Sequence, residues 1–260
     1  MNEQAIHYLP GEPPWQNHMY QYEVTDSTNT RAKELALEGA PHGTVVIADC
    51  QTGGRGRLGR SFHSPGGNGV YMSMIFRYPC APEQLLHLTC AAAVAACDAV
   101  EAAVGFRPGI KWTNDLVSGS KKLAGILTEL ISLSGETVAI VGVGINCTQK
   151  TADFPPDIQS FAGSLSMISG QPVDRHKVAL ALIDALLRMD LSCQEEMMAA
   201  YRRDCVTLGK DISLVRGDEV RHGHAMDIDD RGALVVRFAD GHTEAVNSGE
   251  VSIRGMYGYI

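Results

Sequence analysis

Between Cys50 and Pro82 the chain has no aspartate or glutamate, although its 30 acidic and 22 basic residues give a net charge of −8 overall. The acidic balance excludes general binding to nucleic acid or to an anionic membrane surface. Seven cysteines form no CxxC pair, which argues against a zinc ribbon or a dithiol redox motif and for buried reduced thiols, as in a cytosolic protein. The nine histidines lack metal-ligand spacing, so a protein-built transition-metal site is not expected. Met1-Asn2-Glu3-Gln4 lacks the basic start and apolar stretch of a signal peptide. No apolar run is read as reaching the roughly 20 residues that cross a bilayer.

What the acid-free stretch does contain is Gly54-Arg55-Gly56-Arg57-Leu58-Gly59-Arg60, followed later by Arg77. Glycine lets the main chain approach a ligand closely. Arginine presents a planar fork of donors that matches carboxylate or phosphate. A solvated basic loop is the plain alternative, but such a loop does not need glycine at every second position. The stretch therefore reads as a site that encloses a small anion. Gly54-x-Gly56-x-x-Gly59 also fits the dinucleotide fingerprint formally. That fingerprint needs a helix opening directly after it, whereas Ser61-Phe62-His63-Ser64-Pro65-Gly66-Gly67 sustains none. A Rossmann fold is excluded.

With 260 residues and 45% apolar content, the chain is long enough for one large domain and a small one. Residues 1–21 read as an arm or a first sheet edge. Helices are predicted over about 30–38, 84–104, 175–189 and 192–203. Strands are predicted over 44–48, 70–77, 109–112, 123–131 and 137–142. From Leu208 the pattern changes to short strands between turns, at 211–215, 219–227, 233–238, 243–246 and 251–254, which read as a small barrel. The division is thus 1–207, a mixed α/β layer domain, and 208–260, a small β domain.

Further motifs lie along the first domain. Lys111-Trp112-Thr113-Asn114-Asp115-Leu116 delivers a lysine, an amide and a carboxylate into a turn. Its plain reading is an Asx turn; its functional reading has Lys111 neutralising phosphate and Asp115 holding Mg²⁺ or orienting a basic group. Lys121-Lys122-Leu123-Ala124-Gly125 opens a strand, and a glycine inside a strand marks close approach of a ligand or another backbone. Val141-Gly142-Val143-Gly144-Ile145-Asn146 repeats that device, with Asn146 placed to read a polar edge such as that of adenine.

In this order the motifs GRGRLGR, KWTNDL, KLAGIL and GVGIN, with Asp26-Ser27-Thr28-Asn29 upstream, resemble the biotin protein ligases. The resemblance is dense over 22–147 and continues into 208–260. It implies an α/β domain of the class II aminoacyl-tRNA synthetase type, a mixed sheet flanked by helices, followed by an SH3-like barrel. It implies the substrates biotin and ATP with Mg²⁺, an acyl-adenylate intermediate, and transfer to a lysine of a biotin carboxyl carrier protein. By resemblance, Ser27, Thr28, Asn29 and Gln51 contact the ligand. Gly54, Arg55, Gly56 and Arg57 surround its carboxylate and phosphate, and Arg60 faces the ATP phosphates. Lys122 rather than Lys121 is the essential lysine. Lys111 neutralises phosphate, Gly125, Gly142 and Gly144 line the pocket, and Asn114 and Asn146 hold the nucleotide. Lys122, Arg55, Arg57 and Asp115 are the expected catalytic set. Three positions depart from the family's commonest pattern: Leu58 replaces a frequent Arg, Phe62 a usual Trp and Thr113 a usual Pro.

Two rival readings remain. A lipoate- or octanoate-protein ligase shares the fold and the lysine, but the cationic loop and the barrel favour biotin. A biotin-sensing regulator would carry an amino-terminal helix-turn-helix, for which the roughly twenty residues before the first motif are too few; no DNA or membrane partner is expected. The protein is expected to be a cytoplasmic monomer or homodimer.

Overall fold

The computed structural model describes residues 18–133 and 135–247, together with the backbone of Ser252–Gly255. Of the arm or first edge expected over 1–21, residues 1–17 lie outside the described residues, and β1 (Met19–Thr25) is an edge strand. The first domain then runs through α1 (Thr28–Leu37), β2 (Thr44–Gln51), β3 (Gly69–Tyr78), α2 (Leu88–Val104), β4 (Gly109–Lys111), β5 (Asp115–Ser118), β6 (Lys121–Leu133) and β7 (Glu136–Asn146). It closes with α3 (Leu165–Ser169), α4 (Arg175–Leu187) and α5 (Gln194–Asp204). Seven strands form one mixed sheet in the order β1-β2-β3-β7-β6-β5-β4, parallel only between β1 and β2.

Alternation along the strands decides what each face of this sheet does. In β7, Val141, Val143 and Ile145 point into a large core with α2, α4 and α5, while Val138 and Ile140 point to the opposite face, under α1. α2 fits closely because alanine dominates its buried positions; it ends at Gly105 in the left-handed conformation, φ 87°, whose N–H returns to the Glu101 carbonyl. Pro82–Val104 does match a membrane span in length and hydropathy, with a mean hydropathy of 1.5, contrary to the expectation from sequence. Alanine supplies that hydropathy at little bulk, and 67% of the window is buried inside the fold, so α2 is a core helix. It also starts later than predicted, since Pro82–Leu85 forms a 3-10 turn.

Two further elements escape the sequence reading. β5 occupies what looked like a turn, because Asp115–Ser118 pairs back on β4 and onward to β6. α3 is a short helix of 5 residues capped by the Ser164 hydroxyl. The second unit is a five-stranded antiparallel sheet, β11-β10-β9-β8-β12, of β8 (Asp211–Arg216), β9 (Glu219–Ile228), β10 (Leu234–Phe238), β11 (Thr243–Val246) and β12 (Ser252–Gly255). Its β9–β10 turn is fastened to the first domain. The Trp112 indole donates to the Gly232 carbonyl at 2.9 Å, and Arg202 Nε donates to the Ile228 carbonyl at 2.7 Å.

Candidate active site

The α1 face of the sheet is only half covered by its helix, and the rest is the floor of a cavity of about 1010 Å³. Its geometry follows from strand register. Tyr71 of β3 pairs with Gly144 of β7, Gly144 with Gly125 of β6, Gly125 with Asp115 of β5, and Asp115 with Lys111 of β4. Directly paired residues project from the same face, so a single cross-strand row runs from an aromatic, over two glycines, to a carboxylate and a lysine. The next row joins Ser73, Gly142 and Leu127.

At Gly142 and Gly144 the missing Cβ is used. A Cβ on Gly142 would overlap the Asn29 side chain, and one on Gly144 would lie 2.6 Å from the Phe62 ring. Phe62 thus rests on the glycine row, edge-on to Tyr71 with ring centroids 6.4 Å apart. At Gly125 a Cβ would sit 3.5 Å from Lys122 Nζ. Gly54 is the exception among the predicted residues. It does not line the cavity, and its Cβ would collide with the Phe62 carbonyl, so its role is to let the loop fold back on itself.

At one end of the cavity the amino terminus of α1 meets β2. The Gln51 side-chain oxygen accepts from the Thr28 N–H at 2.8 Å and from the Thr28 hydroxyl at 3.1 Å, while its amide nitrogen donates to Ser64 at 2.9 Å. Ser73 donates to Asn29 Oδ1 at 2.7 Å. Ser27 precedes the helix in extended conformation and lines the cavity without capping through its side chain.

The glycine–arginine loop crosses above. Its base is closed by the Phe62 N–H donating to the Gly54 carbonyl and the Gly56 N–H donating to the Arg60 carbonyl. Arg57 reaches the β4–β5 turn, donating to Asn114 Oδ1 at 2.9 Å. Burial lowers the pKa of its guanidinium, and the Asp115 carboxylate opposes that shift. Arg55 reaches the other way, to Glu129 of β6 at 3.1 Å. Leu58, at the loop tip, is 56% exposed and holds φ 54°. Lys122 Nζ lies 2.7 Å from Asp115 Oδ1. Its neighbour Lys121 turns away and holds the carbonyls of Gln159 and Ser160, which separates the roles of two lysines that look alike in sequence.

Arg55, Arg57, Arg60, Lys111 and Lys122 line the cavity, against the carboxylates of Asp115 and Asp157. The surplus of positive charge, inside a protein of net charge −8, suits an anionic ligand. Gln51, Gly56, Asn114, Gly125, Gly142, Gly144 and Asn146 line it as well. Asn114 and Asn146 are engaged with protein. Asn114 Nδ2 donates to the Ile126 carbonyl at 2.8 Å, and Asn146 Nδ2 to the Gly163 carbonyl at 2.9 Å, so both brace the walls.

Two contributions were not foreseen. The segment 154–162 supplies Phe154, Ile158 and Phe161 as an apolar wall; Phe154, directly before Pro155-Pro156, was its signal. Glu129 stands out in sequence only as an acid on the Gly125-Leu127 parity of an apolar strand. Among the described residues, no group of three or more His, Cys, Asp or Glu is arranged to hold a metal ion.

Residues 22–146 match the family model "Biotin/lipoate A/B protein ligase family", and 207–254 match "Biotin protein ligase C terminal domain". The bifunctional ligase/repressor BirA of Bacillus spizizenii is 37% identical over 237 residues, covering 86% of this chain and 70% of that protein. A biotin–[acetyl-CoA-carboxylase] ligase of Mycobacterium tuberculosis is 33% identical, covering 87% of this chain and 85% of the relative. Among solved structures, the biotin protein ligase from Aquifex aeolicus in complex with biotin and ATP superposes with a TM-score of 0.76 at 28% identity, over 92% of this chain and 99% of that one. The mixed sheet with its helices is therefore the class II aminoacyl-tRNA synthetase-like fold, followed by the SH3-like unit. On the matched domains, the identities and the shared architecture, the chain belongs to the biotin/lipoate A/B protein ligase family.

Proposed function

We propose that this protein is an ATP-dependent biotin protein ligase whose reaction takes place over the Gly144–Gly125 row. It joins biotin to ATP as biotinyl-5'-AMP with release of pyrophosphate. It then passes the acyl group to a lysine amine of a biotin carboxyl carrier protein, releasing AMP. The observation that carries the reading is the convergence of motifs 27–29, 51, 55–60, 111–115, 122–125 and 142–146 on one cationic cavity. Relatives named as biotin ligases and the superposable complex with biotin and ATP support the substrates.

The chemical obstacle is repulsion. Two anions about 4 Å apart oppose each other by roughly 4 kcal/mol at an effective dielectric of 20, nearly a thousandfold in rate. Lys122, Arg57 and Lys111 supply the countercharge. Lys122 bridges the biotin carboxylate and the α-phosphate, exchanging its Asp115 partner for charge that develops in the transition state. The freed Asp115 carboxylate then orients the incoming amine or accepts its proton. Thr28 and Gln51 offer paired donors and acceptors to the ureido ring, and the wall 154–162 with Phe62 keeps water from the adenylate. Mg²⁺ would enter with ATP, whose phosphates would supply most of its ligands; Asp115 and Asp157 are the cavity-lining carboxylates that would complete them.

The division at 207/208, a cytoplasmic location, the carrier protein as acceptor and the lack of a DNA partner belong to the same reading. ATP-dependent labelling of a carrier domain tests it, with biotin, lipoate and octanoate in parallel. Labelling by biotin is expected; labelling by lipoate or octanoate in its place would refute the biotin assignment.

A further inference from the structure

Glu129 is the one acidic side chain on the site face of β6, and it gathers two groups from different parts of the chain. Its Oε2 accepts from Asn29 Nδ2 at 2.8 Å and from Arg55 Nη1 at 3.2 Å, and its Oε1 lies 3.1 Å from Arg55 Nη2. Both terminal nitrogens of Arg55 are thus on one carboxylate, the fork-to-fork geometry that gives an arginine pair its directionality. Asn29 in turn sits on Gly142 and is held by Ser73. Arg57, two residues along, ties the loop to the β4–β5 turn through Asn114, which is itself bonded to Ile126 of β6. The loop is therefore tied down at two points, by Arg55 to Glu129 and by Arg57 to Asn114.

We infer that Arg55 acts through Glu129: the pair fastens the glycine–arginine loop over the cavity, and Glu129 is a positioning residue for both Arg55 and Asn29. This goes further than assigning Arg55 to the ligand's charge, because its planar edge is already spent on the carboxylate. Arg57, Lys111 and Lys122, which line the same cavity, are then the groups that meet the anions. The inference rests on the ligase reading for its kinetic consequences but not for the strap itself.

Exposed ion pairs hold a geometry by about 0.2–1 kcal/mol, a factor of roughly 1.4 to 5 in population, and that sets the size of the effect. The experiment compares the unsubstituted protein with Arg55→Gln, Glu129→Gln and the double variant. Glutamine at 129 keeps an oxygen for Asn29, and Arg55 is a half-exposed surface residue whose replacement leaves the core untouched. Two readouts are taken: chymotrypsin cleavage in the loop (Leu58, Phe62) without added biotin or ATP, and kcat and KM for biotin-dependent pyrophosphate release. Each single variant is expected to speed cleavage and raise the biotin KM by about two- to fivefold, with kcat nearly unchanged. The double variant is expected to match the singles rather than multiply them. Equal cleavage of all four proteins, or a large kcat loss confined to Arg55→Gln with additive effects in the double, would overturn the inference. Absence of biotin-dependent pyrophosphate release in the unsubstituted protein would instead sink the ligase reading, while cleavage would still decide the strap.

Discussion

The two faces of the seven-stranded sheet are made by the same strands and do opposite things. On one face Val141, Ile145 and Ile126 are buried against α2 and α4 in a continuous apolar core. On the other, the alternate positions of the same strands carry Gly142, Gly144 and Gly125, of which α1 covers Gly142 alone, through Asn29 in its first turn. Burying a valine or isoleucine side chain stabilises by about 1.5–3 kcal/mol, so each glycine on the second face forgoes a contribution of that order. The molecule obtains its cavity by leaving out side chains in one parity of residues and lets the other parity hold the fold. Most charged groups then enter from the rim: the arginine loop, the β4–β5 turn, the start of β6 and Asp157 of the 154–162 wall.

Substitutions at matched positions can break this contrast. The largest effect is expected at the rim. Lys122→Ala should lower biotin-dependent pyrophosphate release by about a hundred- to a thousandfold with an unchanged thermal midpoint; a variant that retained most of its rate would remove Lys122 from the chemistry. Next comes the floor. Gly144→Val pushes into the space of Phe62 and the ligand, so the biotin Kd should rise more than about tenfold, above 1.4 kcal/mol, measured by isothermal titration, while the fold survives. Val141→Ala, on the opposite face, should do the reverse. It is expected to cost about 1–3 kcal/mol in denaturant unfolding and to leave kcat/KM close to that of the unsubstituted protein. Loss of activity at Val141 equal to that at Gly144 would erase the distinction between the faces.

The smallest effect concerns pH and the core side. His87, just before α2, is 6% exposed, its Nε2 has no hydrogen-bond partner among the described residues, and burial lowers its pKa. The unfolded chain then binds the proton more readily than the folded one. Stability should be unaffected above the ordinary histidine range near pH 6.5 and should fall as the pH drops below it. His87→Gln should flatten that slope in unfolding curves taken from pH 7.5 to 5.5, and an unchanged slope would assign the acid sensitivity elsewhere.

Much of this was legible before any coordinates. The glycine-spaced arginines, the lysine at the head of β6 and the glycines of β7 carry signals that local chemistry explains, and the cavity collects them all except Gly54 and Gly59 of the loop. The strands of the small unit were readable because their turns are marked by Gly217, Gly232 and Gly241, all at positive φ. What stayed hidden depended on contacts far apart in sequence. Glu129 meets Arg55 across 74 positions and Asn29 across 100. β5 declared no strand of its own, since it is short and its partners set it. The wall at 154–162 has no regular periodicity, because its backbone is held by Lys121 and by the Lys122–Phe161 and Gly163–Lys122 hydrogen bonds rather than by a helix or sheet of its own.

The central claim is that a small acid and a nucleotide meet over the paired glycines with Lys122 between them. A crystal structure with biotin and a non-hydrolysable ATP analogue tests it most directly. The ureido ring is expected within hydrogen-bonding distance of Thr28 and Gln51, the acyl chain along Gly142 and Gly144, and both the carboxylate and the α-phosphate in contact with Lys122 Nζ. Ligand bound outside this cavity, or bound within it while the Lys122 amine stays on Asp115 and touches neither anion, would contradict it.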